Sequence, residues 1–169
     1  MESLFAQLFL AIQAHILASV PAIKWIDQDL GQLEAYEVRP AVEFPCVLID
    51  FPAANYSNEG QLVQWADVNI SIRLGFAPFA SANSVAPDIS KEHALEYYEI
   101  ENDLVKALHG FTANDCIQPM MRISAATERR EDSYRVRELQ FTTGTEDTTA
   151  QSAANIVTAG LNVQNEITS

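Results

Sequence analysis

The residue types best suited to chemistry in this chain are three histidines, two cysteines and a short acidic run, and their spacing does not assemble a reactive site. His93 follows Glu92 and stands three residues before Glu96, so the three share part of a helix surface. A zinc helix of the His-Glu-x-x-His kind needs a second histidine four residues on, and none stands there. His15 lies inside an apolar helix, where a hydrogen-bonded core or interface histidine is expected. His109 sits at a helix C-terminus, where the dipole favours a cation and a structural role suffices. Cys46 and Cys116 fall in different segments with no Cys-x-x-Cys or Cys/His ligand spacing, and read as reduced thiols in or near the core. Glu99, Glu101 and Asp103 suggest paired carboxylates, but on a helix they point in different directions and read as a solvated face. A Gly-rich phosphate loop, a nucleophile elbow and a dinucleotide fingerprint are all missing from a sequence with only 6 glycines. The expectation is no catalytic residue, no cofactor and no metal.

The basic residues say more. Of 10 Lys and Arg, five arginines (Arg122, Arg129, Arg130, Arg135 and Arg137) crowd into one stretch near the end of the chain. One reading is a positive patch that meets a negative neighbour, such as Glu96, Glu99 and Asp103 on the second helix of an adjacent copy. The other is an ordinary charged hairpin balanced by Glu128, Glu131, Asp132 and Glu138. A head-to-tail contact between unlike patches builds a ring if the rotation closes. The net charge of −13 disfavours gripping nucleic acid, while suiting a surface past which DNA slides.

These residues must be carried by a core, and 169 residues, 48% of them hydrophobic, suffice for one ordinary domain. Leu4, Phe5, Leu8, Ile12 and Ile16 recur at helical spacing, giving a first helix over 2–19 that Pro21 stops. Phe9, Leu10 and Leu17 make it apolar nearly all round, which implies contact on two sides. It begins with Glu2 and is interrupted by Gln7, Gln13 and His15, so it reads as buried rather than as a signal or membrane span. The sequons at Asn55 and Asn69 then read as chance.

A short strand is expected over 23–30, and a strand buried on both faces over 45–51, between Pro45 and Pro52. Ala53 to Gly60 reads as a polar turn. Val68, Ile70, Ile72, Leu74 and Phe76 alternate with polar residues in the clearest strand, 62–76, with a bulge expected near Ala66 where the phase slips. Residues 77–89 read as a loop. Ser90 is the expected N-cap of a second helix whose stripe is Tyr97, Ile100, Leu104, Ala107, Leu108 and Phe111, closed by Gly110. Strands over 117–127 and 134–143 follow, joined by a charged tip at 128–133, with a second bulge expected near Arg137-Glu138. The fold class is therefore α+β: a mainly antiparallel sheet of about four to five strands with two helices packed against it, long hairpins and a flexible C-terminal arm. The domain is expected to span 1–144. The extension 145–169 is too poor in large apolar residues to order alone, and reads as disordered or as an arm against a neighbour.

This order of helix, three strands, helix and hairpin resembles the phage tail-terminator (minor tail protein U-like) family and related small neck proteins. The likeness extends over 2–143. It is carried by Phe44-Pro45-Cys46-Val47-Leu48-Ile49-Asp50, by Val68-Asn69-Ile70-Ser71-Ile72, by Leu104 to Phe111, and by Arg129-Arg130 leading into Tyr134 to Phe141. The resemblance implies a homo-oligomeric ring, a hexamer, that caps the tail tube, halts its polymerisation and meets the head connector, with DNA passing through the lumen. It implies partners in the tail tube protein and the neck, a place in the virion after assembly in the bacterial cytoplasm, and no membrane or enzymatic role. Another neck component (a head-closure or tail-completion protein) shares such a core. A small enzyme or ligand-binding domain is the reading from a different class.

Overall fold

The computed structural model describes residues 3–34, 42–77, 82–113 and 118–152. The elements run α1 (Leu4–Ser19), β1 (Trp25–Gln28), β2 (Cys46–Gly60), β3 (Val63–Phe76), α2 (Asp88–Leu108), β4 (Met121–Thr127), β5 (Arg135–Asp147) and a short α3 (Thr149–Ser152). They form an α+β fold around one 5-stranded sheet in the order β1-β2-β3-β5-β4. Only β1 and β2 pair in parallel; the other neighbours are antiparallel.

One face of the sheet carries the main core. Val47 and Ile49 of β2, Val68 to Phe76 at alternate positions of β3, and Leu139 and Phe141 of β5 lie beneath Leu8, Ile12 and Ile16 of α1 and Ile100, Leu104 and Leu108 of α2. Burying such a set is the main drive to fold, at about 25 cal/mol per Å² of apolar surface. α1 has a second apolar side, Leu10 and Leu17, that stays 47% and 56% exposed. The opposite sheet face holds a smaller cluster, Leu33, Cys46, Leu48 and Val136, with Val42 and Phe44 packed on it. Burial there pushes the Cys46 thiol up to about 11.

That second cluster explains where local patterning misled. The expected bulges at Ala66 and at Arg137-Glu138 are absent: β3 and β5 pair without interruption from Gln64↔Asp147 to Phe76↔Arg135. The phase slips because both faces are covered in places, with Val136 against the second cluster while Leu139 and Phe141 join the main one. The real register shifts fall in β2, between Asp50 and Ala53 and between Asn58 and Gly60, and in β4, between Arg122 and Ser124. Pro52 sits in the first shift, where its missing N–H costs no ladder bond.

Residues 53–60 are strand rather than turn. They pair with the first half of β3, and the chain reverses at Gln61 and Leu62, both at positive φ (52° and 64°). Two positive-φ residues make the tight hairpin turn that matches sheet twist. The segment has no apolar alternation because it is exposed along nearly its whole length; backbone pairing holds it. α2 begins at Asp88, two residues before the expected Ser90 cap, with Pro87 before its first turn. It ends as expected, with Gly110 at φ 89°.

β5 runs to Asp147, past the expected strand end at Thr143, and Thr145 is fully buried. Gly144 lies under the Trp65 ring: an added Cβ would stand 2.4 Å from the ring and 2.9 Å from Gln118 Oε1. Gly144→Ala is therefore expected to cost about 1–3 kcal/mol by overpacking. The urea midpoint measures it, and an unchanged midpoint means that the indole moves aside freely. The arm expected beyond this strand lies, from residue 153, outside the described residues, as does Cys116.

Candidate assembly surfaces

The structure sorts the five sequence-selected arginines into two groups. Arg130 folds back onto its own chain, meeting Asp132 at 2.6 Å, Glu128 at 3.2 Å and the Leu33 carbonyl at 2.6 Å. Arg137 grips both Glu101 carboxylate oxygens through Nε and Nη2, at 2.7 and 2.8 Å, and reaches Thr127 Oγ1 at 2.8 Å. Arg135 lies over the Tyr97 ring at 3.9 Å, with Tyr98 at 5.4 Å. Arg122 and Arg129 are exposed. The concentration in sequence is thus mostly an internal fastening, with two outward charges left over.

The fastening has a geometric cause. Four residues of helix rise about 6.0 Å and two residues of strand about 6.6 Å, so a helix laid along a strand keeps step over one turn. Tyr97 and Glu101 on α2 accordingly meet Arg135 and Arg137 on β5. Glu101 was expected on a solvated face with Glu99 and Asp103; it is buried, because its helix position falls one after Ile100 and over the β5 arginine. Its hydrogen bond holds the Arg137 guanidinium above its usual range. Glu96, Glu99 and Asp103 are exposed, Glu96 3.9 Å from His93 and Asp103 2.9 Å from Lys106. They form an outward acidic ridge one helix-width from the inward Glu101.

A second fastening centres on Arg73, which no sequence signal singled out. From the polar side of β3 it contacts Asp29 at 2.9 Å, Glu128 at 2.6 and 2.8 Å, and Glu34. Burial alone would raise the Glu128 carboxyl, but the hydrogen bonds and charges of Arg73 and Arg130 hold it below the usual range. Asp132 is lowered chiefly by the hydrogen bond from Arg130. Beside this hub Ser71, Glu138 and Gln140 hydrogen-bond one another across β3 and β5. The hub ties the segment after β1 and the β4–β5 connection to the second sheet face.

Two of the three histidines make contacts within the fold. His15 bonds the Ala107 carbonyl at 2.9 Å and stacks on Phe111, joining α1 to α2 as a core histidine was expected to do. His109 accepts the Arg122 backbone N–H at 3.2 Å. Among the described residues no three His, Cys, Asp or Glu side chains are grouped to hold a metal ion. A half-open cleft between α1 and β2 is lined by Phe5, Phe9, Asp29, Asp50 and Phe51, and its Asp29 is already held by Arg73. No described helix is long and apolar enough to cross a membrane.

No protein-family model matches the chain, and no curated protein matches it. Among the solved structures that the chain matches is a chain of the virion of a native gene transfer agent (GTA) particle. The alignment covers 87% of this chain and 100% of that one, with a TM-score of 0.50 and 13% identity. The fold is similar to one used in a virion. At that identity the likeness is one of fold.

Proposed function

We propose that this chain is a non-enzymatic structural virion protein of the tail-terminator kind, acting as a ring of about six copies. The ring caps the tail tube, stops its polymerisation and presents a surface to the head connector. The observation that carries the virion role is the fold likeness spanning the whole of a gene transfer agent virion chain. Three surface features support self-assembly. α1 has no charged residue between Leu4 and Ser19 yet leaves Leu10 and Leu17 outside the core. The β2–β3 hairpin projects with Tyr56 and Leu62 exposed near its tip. The acidic ridge of α2 and the outward Arg129 are complementary, as suits a head-to-tail ring contact. An acidic lumen, drawn from a net charge of −13, lets DNA pass with little adhesion.

Light scattering and negative-stain microscopy of the full chain, over a range of concentrations, test this reading. A closed particle of about six copies is expected, and a monomer at every concentration overturns it. A head-closure or tail-completion protein would rest on the same fold likeness. Adding the purified ring to polymerising tail tubes separates the two: a terminator fixes tube length and binds the tube end, whereas another neck component leaves tube growth unchanged.

A further inference from the structure

We infer that the outer edge of β4 is a docking site for residues 161–166 of a second copy, which add to the sheet as a sixth strand. The inference rests on the self-assembly proposed above and names the surfaces that make the contact.

β4 is the end strand of the sheet and all seven of its residues are exposed, including Met121 at 45% and Ile123 at 60%. Among the described residues it is open on both faces and along part of one edge. The Glu128 N–H donates to the Val136 carbonyl at 3.0 Å, so alternation in the antiparallel ladder turns the backbone groups of Ala125 and Thr127 outward. Neither has a backbone partner beyond the sheet among the described residues. At the Arg122 end the edge is already closed. Gly110 N–H donates to the Met120 carbonyl, Met120 N–H to the Phe111 carbonyl, and Arg122 N–H to His109 Nδ1. The free edge is therefore Ile123 to Thr127, a length that takes one short strand. Exposed edges of this kind are usually blunted by lysine or proline, and β4 has neither.

The occupant is read from the chain beyond Ser152. Leu161-Asn162-Val163-Gln164 alternates apolar and polar residues as a strand does, and Glu166 is the sole charged residue between 153 and 169. Arg122 is likewise the sole charged residue of β4, and its side chain meets no carboxylate among the described residues. An antiparallel addition that sets Leu161 beside Thr127 and Val163 beside Ala125 brings Glu166 to the Arg122 end. Single charges of opposite sign thus fix direction and register. α3 rests against β3, so the chain leaves on the side of β5 away from its own β4. Residues 153–160 could span up to roughly 26 Å if extended.

Arg122→Glu and Glu166→Arg in the full chain test this, each first checked for an unchanged melting curve. Each variant alone sets like charges together at every contact and is expected to raise the concentration for half-assembly about tenfold or more. An equal mixture of the two restores wild-type assembly, because each arm then meets the opposite charge on its neighbour. Wild-type assembly by either variant alone overturns the inference. So does a mixture that stays apart while the double variant in one chain assembles, since the arm then lies on its own subunit. In both of those cases the wild-type ring still forms, whereas loss of the ring reading itself shows as a wild-type monomer.

Discussion

Arg73→Met is expected to lower the unfolding free energy by about 3 kcal/mol or more, because it leaves half-buried carboxylates facing one another without their shared cation. The Arg73 side chain is 13% exposed, with Asp29 at 14% and Glu128 at 23%, so water does little to replace the lost contacts. For a chain of this length that corresponds to a fall in Tm of roughly 6–12 °C. Arg73→Lys keeps the charge but not the fork that reaches three acids, and falls between the two. The hub also predicts a pH dependence. Glu128 and Asp132 are held below their usual range when folded, so their stabilisation is complete above the unfolded carboxylate pKa of about 4 and is lost as pH falls through the folded values. In Arg73→Met the Glu128 part of that loss shrinks and the acid limb flattens. Thermal melts between neutral and acid pH measure both effects. A wild-type melting temperature in the variant, or an unchanged acid limb, would remove Arg73 from the centre of the account.

The second large effect is at Glu101. Glu101→Ala strips the Arg137 guanidinium of a two-pronged partner beneath α2, leaving Thr127 Oγ1 as its remaining side-chain acceptor, and is expected to cost about 2–4 kcal/mol. Replacing both residues by leucine should recover most of that loss, since an apolar pair of similar volume needs no desolvation of charge. A double-mutant cycle isolates the coupling, expected near 2 kcal/mol. Additive single variants would mean that α2 is held by its apolar stripe alone. The effect also bears on assembly. The Glu101–Arg137 contact helps the apolar stripe set the rotation of α2 about its axis, and that rotation decides where Glu96, Glu99 and Asp103 point. If the chain assembles as proposed, Glu101→Ala is therefore expected to weaken that assembly even below its melting temperature.

Elements with a one-sided burial pattern were legible from the sequence. α1 announces itself by apolar residues at helical spacing, β3 by strict alternation from Val68 to Phe76, and the end of α2 by Gly110, which takes a positive φ more freely than other residues. Where both sheet faces are covered, as around Val136, alternation breaks and imitates a bulge. Where neither is covered, as in residues 53–60, alternation vanishes and imitates a turn. Periodicity reports burial, whereas strands are made by backbone pairing.

Side-chain partnerships lie beyond local patterning for a different reason. The sequence determined how many arginines there are and that most fall late in the chain. Which of them face inward was decided by contacts between distant residues: Arg73 meets Asp29 44 positions away, Arg137 meets Glu101 36 away, and Arg130 reaches the Leu33 carbonyl 97 away. Charge attracts by distance in space and leaves no period in the sequence, so only the folded chain separates the arginines that hold it together from the two that stay outward.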